Sequence, residues 1–197
     1  MTITDQLFES QLVRLAMPDP ERDAGIESGW THDPEYLHSF DPAPARPQSP
    51  DQIRKKYEAA EKDKEKQFYF AIRTRTDDRL IGFVKLSDIS WNHGNDNLLI
   101  GIGSPDDRDQ GYGRESLRMI LRYAFGELNL HRVTAGVLGY NERAIRFFER
   151  AGFTVEVRRR EAIHRYGQRW DDVMLGLLRE EWQNKWGVAE REDGRNV

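Results

Sequence analysis

Apolar runs of strand length, separated by clusters of turn-forming residues, dominate the middle of this chain. Phe68 to Arg75 and Leu80 to Ile89 predict two strands joined at Thr76-Asp77-Asp78 by a compact hairpin turn. Asn92 to Asn97 forms a second turn cluster that leads into an apolar strand, Leu98 to Gly103, so three antiparallel strands follow one another. Beyond them the pattern changes period: Glu115 to Leu128 is amphipathic, Arg132 to Leu138 is strand-like, and a helix starts at Asn141. Thr154 to His164 and Trp170 to Arg179 predict a closing hairpin turned at Tyr166-Gly167-Gln168.

The first third is less regular. Gln11 to Ala16 predicts a short strand, and Pro18-Asp19-Pro20 suits the start of a helix running to about Trp30. Thr31 to Pro50 is proline-rich and predicts loop, with one helical turn near Pro34 to Ser39. Ser49, with Gln52 placed for a capping box, begins a charged surface helix to about Lys66, a candidate flap beside a binding site. The residues Arg191 to Val197 are polar and expected to fray.

Composition narrows the class without identifying it. At 197 residues with 38% hydrophobic content, the chain suits one well-packed domain, expected over 1–186 with a polar tail at 187–197. A net charge of -4 supplies no basic field for nucleic acid and leans weakly towards cationic partners. The absence of cysteine removes thiolate metal sites and cysteine nucleophiles together, and no metal site is expected. No run approaches a membrane span and Met1 to Asp5 lacks the features of a signal peptide, so the expectation is a cytoplasmic protein without membrane or nucleic-acid partners, with a homo-oligomer left open.

The chemistry concentrates in Arg108-Asp109-Gln110-Gly111-Tyr112-Gly113-Arg114, between the Leu98 to Ile102 run and the amphipathic stretch. Glycines at a strand-to-helix handover let backbone N–H groups crowd around a phosphate at the positive end of a helix dipole, although a tight turn alone would also use them. No Gly-Lys-Ser/Thr follows, which excludes the nucleotide-binding phosphate loop. About thirty residues on stands a second block, Asn141-Glu142-Arg143-Ala144-Ile145-Arg146-Phe147-Phe148-Glu149-Arg150-Ala151-Gly152-Phe153. Taken in order, the two blocks resemble the acyl-CoA-dependent N-acetyltransferases of the GNAT superfamily, which use R/Q-x-x-G-x-G/A and then N-x-x-A-x-x-x-Y/F-E-K/R-x-G-F. Arg79 to Val84, Tyr123 to Phe125 and Leu128 to Arg132 extend the likeness to the branch of ribosomal-protein alanine and spermidine N-acetyltransferases, over about Phe68 to Leu178.

The resemblance implies an α/β (α+β) fold: a mixed, mostly antiparallel sheet of about six or seven strands, about four helices, and a cofactor cleft between two central strands. It implies acetyl-CoA as co-substrate and a primary amine, on a small molecule or a peptide, as acceptor by direct attack on the thioester. Amides of Gly111, Tyr112, Gly113 and Arg114 would hold the pyrophosphate, with Arg108 and Gln110 in the same loop; Ile102 and Gly103 would flank the pantetheine arm and the thioester carbonyl. Asn141, Ala144 and Phe148 complete the cofactor set, and Asn141 has an equally good role as helix cap.

The chain departs from the family pattern at two positions. Asp109 puts a carboxylate beside phosphates, and Phe148 stands where many members carry a tyrosine that protonates the leaving thiolate. Tyr140, Ser87 and Ser104 are substitute acids, and Asp88 is the candidate base, with Tyr140 and Asp88 the pair assigned to catalysis. Glu27, Asp33 and Glu35 join Asp88 as acids on the acceptor side, where solvated charge is the simpler reading, and Trp30, Tyr36, Phe40 and Trp91 are candidates for an aromatic wall. His131 reads as a helix-end residue and Arg158 to Arg160 as a solvated edge. The acceptor stays open among polyamine, protein N-terminus, amino acid and antibiotic amine, and a non-catalytic acyl-CoA-binding regulator is the alternative.

Overall fold

A sheet built from hairpins keeps sequence neighbours together until a helix must cross over, and this topology follows that rule. The computed structural model describes residues 6–63 and 65–187. Its strands are β1 (Val13–Ala16), β2 (Phe68–Thr74), β3 (Leu80–Ser90), β4 (Asn95–Ile102), β5 (Arg132–Leu138), β6 (Thr154–Arg165) and β7 (Gln168–Leu178). The helices are α1 (Pro20–Trp30), α2 (Pro34–His38), α3 (Pro50–Lys62), α4 (Tyr112–Arg122), α5 (Glu142–Ala151) and α6 (Arg179–Trp186). The seven strands form one sheet in the order β1-β2-β3-β4-β5-β7-β6, and every pairing is antiparallel except β4 with β5.

The single parallel pair shapes the molecule. β4 and β5 are in register only at Asn95 with Arg132, Asp96 with Val133 and Asn97 with Thr134. Beyond that β4 stays paired to β3 as far as Ile102, and β5 stays paired to β7 as far as Leu138. The two central strands therefore part into a V, and the backbone groups that Leu98–Ile102 turn towards β5 have no strand partner there.

Each face of the sheet carries its own layer. The even residues of β4, Leu98, Ile100 and Ile102, pack with Val133, Ala135 and Val137 under α4 and α5 in the main core. Leu99, on the other face, joins a smaller cluster of Ala24, Tyr36, Ile53, Tyr57, Tyr69 and Phe83 roofed by α1, α2 and α3. The charged helix expected to Lys66 ends at Lys62; it carries the full Ser49–Gln52 capping box and is anchored by buried Ile53 and Tyr57.

Several boundaries differ from the sequence reading. Asn95 to Asn97, expected as turn, lie within β4: all three pair with β5, and Asn95 and Asn97 also pair with β3. The amphipathic segment begins at Tyr112 and closes in a π-turn over Tyr123–Glu127, where the Leu128 N–H reaches the Tyr123 carbonyl. The sheet has seven strands, but six helices flank it rather than about four: α2 is a capped turn, and α6 is added after β7. No apolar stripe announces α6, which is held by Trp182 stacked on Phe125 and by the Trp186 indole donating to the Ala151 carbonyl. Residues 188–197, which include the segment Arg191 to Val197 expected to fray and all but Gly187 of the expected tail, lie outside the described residues, as do Met1 to Asp5. No helix among the described residues is long and apolar enough to cross a membrane.

Candidate active site

The glycine loop sits at the mouth of the V. Arg79 clasps buried Asp107 with two hydrogen bonds of 2.8 Å, fixing the turn that leaves β4. The chain then passes Asp109 (φ 61°) and Gly111 (φ 87°), both left-handed, and enters α4. Gly111 is the N-cap, so no side chain caps the helix, and the first-turn amides of α4 are left for an external acceptor at the positive end of the dipole. A Cβ on Gly113 would meet nothing in the protein closer than the Phe147 ring at 3.7 Å. Packing alone does not demand glycine at that position. Uncapped amides, an open approach at Gly113 and the unpaired inner edge of β4 together fit an extended ligand with a phosphate head and an amide-bearing arm.

The other loop residues divide between that mouth and the acceptor face. Gln110 and Arg114 are exposed beside it. Asp109 is exposed and its carboxylate pairs with Arg143 at 3.1 Å, so the charge expected to oppose phosphate has a partner. Arg108 is folded inward, 3.4 Å from the Gly103 carbonyl and 3.4 Å from Glu35. Ile102 packs on the core side while Gly103 lies under the Trp30 indole, at a separation that leaves no room for a Cβ. Asn141 caps α5 by accepting from the Ala144 N–H at 3.1 Å, and Glu115 on α4 ties down the N-terminal segment through the Leu12 N–H at 2.9 Å. Phe148 is buried, edge-on to Phe147 and Phe153. Its partly buried neighbour Phe147 is the ring beside Gly113.

On the opposite face of β4 an aromatic layer covers the strand. Trp30, Tyr36, Phe40 and Phe83 follow one another at centroid distances of 5.9, 5.1 and 5.5 Å, and Phe40 and Phe83 press on the Gly101 backbone. Trp91, expected in this wall, is absent from it: it is exposed near the start of β4 and its indole donates to the Glu65 carbonyl at 2.6 Å. Beside the layer a cavity of about 490 Å³ opens between Phe40 and Pro42, the Gly136–Leu138 end of β5, and Ile163, His164 and Asp172 of the last hairpin.

The two residues assigned to catalysis do not meet. Asp88 sits at a β-bulge (φ 54°), exposed, accepting from Asn97 Nδ2 at 3.2 Å, at the closed end of the V. Tyr140 lies past the far end of β5, and the intervening Thr134–Leu138 stretch spans about 13 Å of strand. Its hydroxyl donates to the His38 carbonyl at 2.6 Å, and burial raises its pKa further. Ser87 makes only a 3.5 Å contact to the Asn97 carbonyl, and Ser104 caps the 3-10 turn by accepting from the Asp106 N–H.

The acid cluster is likewise dispersed. Glu27 is buried, Asp33 caps α2, and Glu35 pairs with Arg108. The sequence reading missed a group next in sequence to the cavity-lining residues Ser39 and His164. His38 Nδ1 is 2.9 Å from the Tyr166 hydroxyl, Tyr166 is 6.0 Å edge-on to Tyr140, and the Arg165 guanidinium donates to the Pro42 and Ala43 carbonyls. Desolvation first, and Arg165 second, lower the pKa of the His38 ring from its ordinary value. No local motif points to it, because its neighbours come from more than a hundred residues away. No metal-binding cluster of His, Cys, Asp or Glu occurs among the described residues.

Comparison with known proteins bears on the family and the fold. Residues 13–154 match the acetyltransferase (GNAT) domain family. A probable N-acetyltransferase of Bacillus subtilis, YjcK, is 34% identical over 116 residues, covering 59% of this chain and 64% of that protein. The spermidine N(1)-acetyltransferase of Vibrio cholerae is 29% identical over 106 residues, covering 54% of this chain and 61% of that protein, so both alignments span somewhat less than two thirds of the relative. A crystal structure of spermidine N-acetyltransferase from Vibrio cholerae with CoA and spermine superposes with a TM-score of 0.78 over 89% of this chain and 100% of that one. At 21% identity that likeness speaks to the fold.

Proposed function

The chain belongs to the GNAT acetyltransferase family, for which acetyl-CoA is the fitting co-substrate, and from that premise we propose that it transfers an acetyl group to a primary amine by direct attack on the thioester. The observation that carries this reading is the parting of β4 from β5 with the uncapped N-terminus of α4 at its mouth. Bound acetyl-CoA supplies the activated acetyl group. Amides of Gly111, Tyr112, Gly113 and Arg114 hold its pyrophosphate, with Gln110 and Arg114 side chains free to add contacts. The unpaired edge of Leu98–Ile102, next to Gly103, offers strand-like hydrogen bonds to the arm, and an N–H there stabilises negative charge on the carbonyl oxygen as the amine attacks. Asn141 and Ala144 form the helix start facing the cleft from β5, and Phe148 supplies apolar packing but no proton. Arg108 serves by joining the loop to α2.

The acceptor must arrive uncharged, and an alkylamine at pH 7 is protonated. His38, adjacent in sequence to Ser39 of the cavity wall and with its pKa lowered, is the base of this reading, in place of Asp88 at the closed end of the V. Tyr140 positions the His38 segment through its carbonyl. The thiolate, with an ordinary pKa of about 8.5, leaves and takes a proton from solvent.

A second reading, a non-catalytic acyl-CoA-binding regulator, is favoured by Phe148 and by the Tyr140 hydroxyl already engaged with His38. Calorimetry with acetyl-CoA followed by thiol release over a panel of monoamines, polyamines and peptide N-termini tests both. Binding with amine-dependent thiol release supports transfer, binding without release on any amine supports the regulator, and absence of binding overturns both.

A further inference from the structure

We infer that Lys56 fills an ammonium-binding box on the acceptor face and bars polycationic amines from it, a specificity role that rests on the proposed transfer to an amine. The box has a carboxylate floor and aromatic walls. Glu27 is buried; its Oε2 accepts from the Tyr57 hydroxyl at 2.5 Å and the Tyr69 hydroxyl at 3.0 Å. Tyr69 and Phe83 stack at 5.5 Å with 10° between their planes. The Lys56 ammonium lies 5.2 Å from the Tyr69 centroid, 5.1 Å from the Phe83 centroid and 2.6 Å from Glu27 Oε1. A buried carboxylate and two ring faces around one cation are the chemistry that recognises an alkylammonium. Here the ligand is part of the chain.

Position gives the box its meaning. Phe83 pairs with Gly101 across β3 and β4 and its ring lies on the Gly101 backbone, so the box shares a wall with the strand proposed to carry the thioester. The Lys56 side chain is 41% exposed while Glu27 is 3% exposed, so the box communicates with solvent along the lysine stem. A second ammonium on an acceptor gains no counter-charge from a box already neutralised, and meets the repulsion of Lys56 instead. Wild-type enzyme should therefore treat a polyamine no better than a monoamine with the same reacting end.

Lys56→Ala vacates the box and leaves its floor and walls. We expect the ratio of kcat/KM for spermidine to that for butylamine to rise at least 10-fold over wild type, with acetyl-CoA affinity unchanged. The double change Lys56→Ala/Glu27→Gln should abolish the rise. Propylammonium chloride should raise the melting temperature of Lys56→Ala and not that of wild type. A folded, CoA-competent Lys56→Ala that shows neither the ratio change nor the propylammonium shift overturns the inference. Where no amine releases CoA from any variant, transfer itself fails, and the propylammonium shift alone decides the box. Should Lys56→Ala not fold, Lys56→Met keeps the stem and methylammonium replaces propylammonium as the probe: a shift in the variant but not in wild type supports the box, and no shift overturns it.

Discussion

The two faces of β4 are built by different means. On the cofactor face the parts are backbone: an unpaired edge of β4, a left-handed glycine and uncapped α4 amides, all in one short run of chain from β4 into α4. On the acceptor face they are side chains from α1, α2, α3, β2, β3 and the β6–β7 hairpin. A site made of backbone must spell its turns in glycine and its caps in Asn or Ser, so it reads as a motif. A site made of distant side chains leaves no such spelling. Family resemblance accordingly covered the first face and said nothing reliable of the second.

The largest expected effect tests whether the acceptor half rests on a polar interior. Asp23 and Arg73 are both nearly inaccessible and paired at 2.6 Å. Arg73→Ala leaves Asp23 buried without a counter-charge and should destabilise by about 3–5 kcal/mol. Denaturant titration checks it, and a loss below about 1 kcal/mol would mean that this half is held by its aromatic layer alone.

That interior also shows what was not legible. In α1, Asp23 and Glu27 are spaced i, i+4 and so share one face, and the helix has no apolar stripe. Acids are ordinarily solvated, so by sequence Glu27 reads no differently from Asp33, Glu35 and Asp88. A helix without an apolar face must bury a polar one or float free, and that signal was present in the spacing. The partners were not, since Tyr57 comes from α3 and Tyr69 and Arg73 from β2, both distant from α1 in sequence. By contrast α5, from Asn141 cap to Gly152 at φ 105°, lies where its motif put it, and the closing hairpin turns at Tyr166 and Gly167 as expected.

The cofactor half carries one side chain that the backbone account does not explain. Asp96 is buried on β4 where β4 and β5 part, and neither oxygen makes a well-formed hydrogen bond among the described residues. Burial pushes its pKa up to about 8, against a modest opposing pull from the Thr134 N–H. The unfolded chain releases this proton near pH 4 and the folded chain holds it to about 8, so stability from this group is full at low pH and is lost as pH rises between them. Asp96→Asn should therefore stabilise by a few kcal/mol at pH 8 and by less at pH 5. Melting curves at the two pH values check the sign; an equal shift at both would place the proton elsewhere.

The backbone account is tested more directly at the loop. Gly113→Val introduces a side chain with space inside the protein, so the fold should survive, while the branch projects at the proposed pyrophosphate site. Acetyl-CoA affinity should fall by about 10- to 100-fold, or about 1–3 kcal/mol. Undiminished affinity in a folded variant would remove the loop from cofactor binding.

The smallest effect asks whether the acceptor half contributes chemistry or only position. Tyr140→Phe deletes a hydrogen bond of 2.6 Å to the His38 carbonyl and leaves the ring contacts with Tyr166 and Trp170 in place. Loss of one such bond costs about 1 kcal/mol, so the KM for amine should rise a few-fold while kcat and acetyl-CoA affinity hold. A collapse of kcat at constant KM would instead make the Tyr140 hydroxyl the proton donor to the thiolate, the acid that Phe148 cannot be. The hydroxyl would then have to break its bond to His38 during turnover, and the acceptor face would read as a moving part rather than as the fixed wall described above.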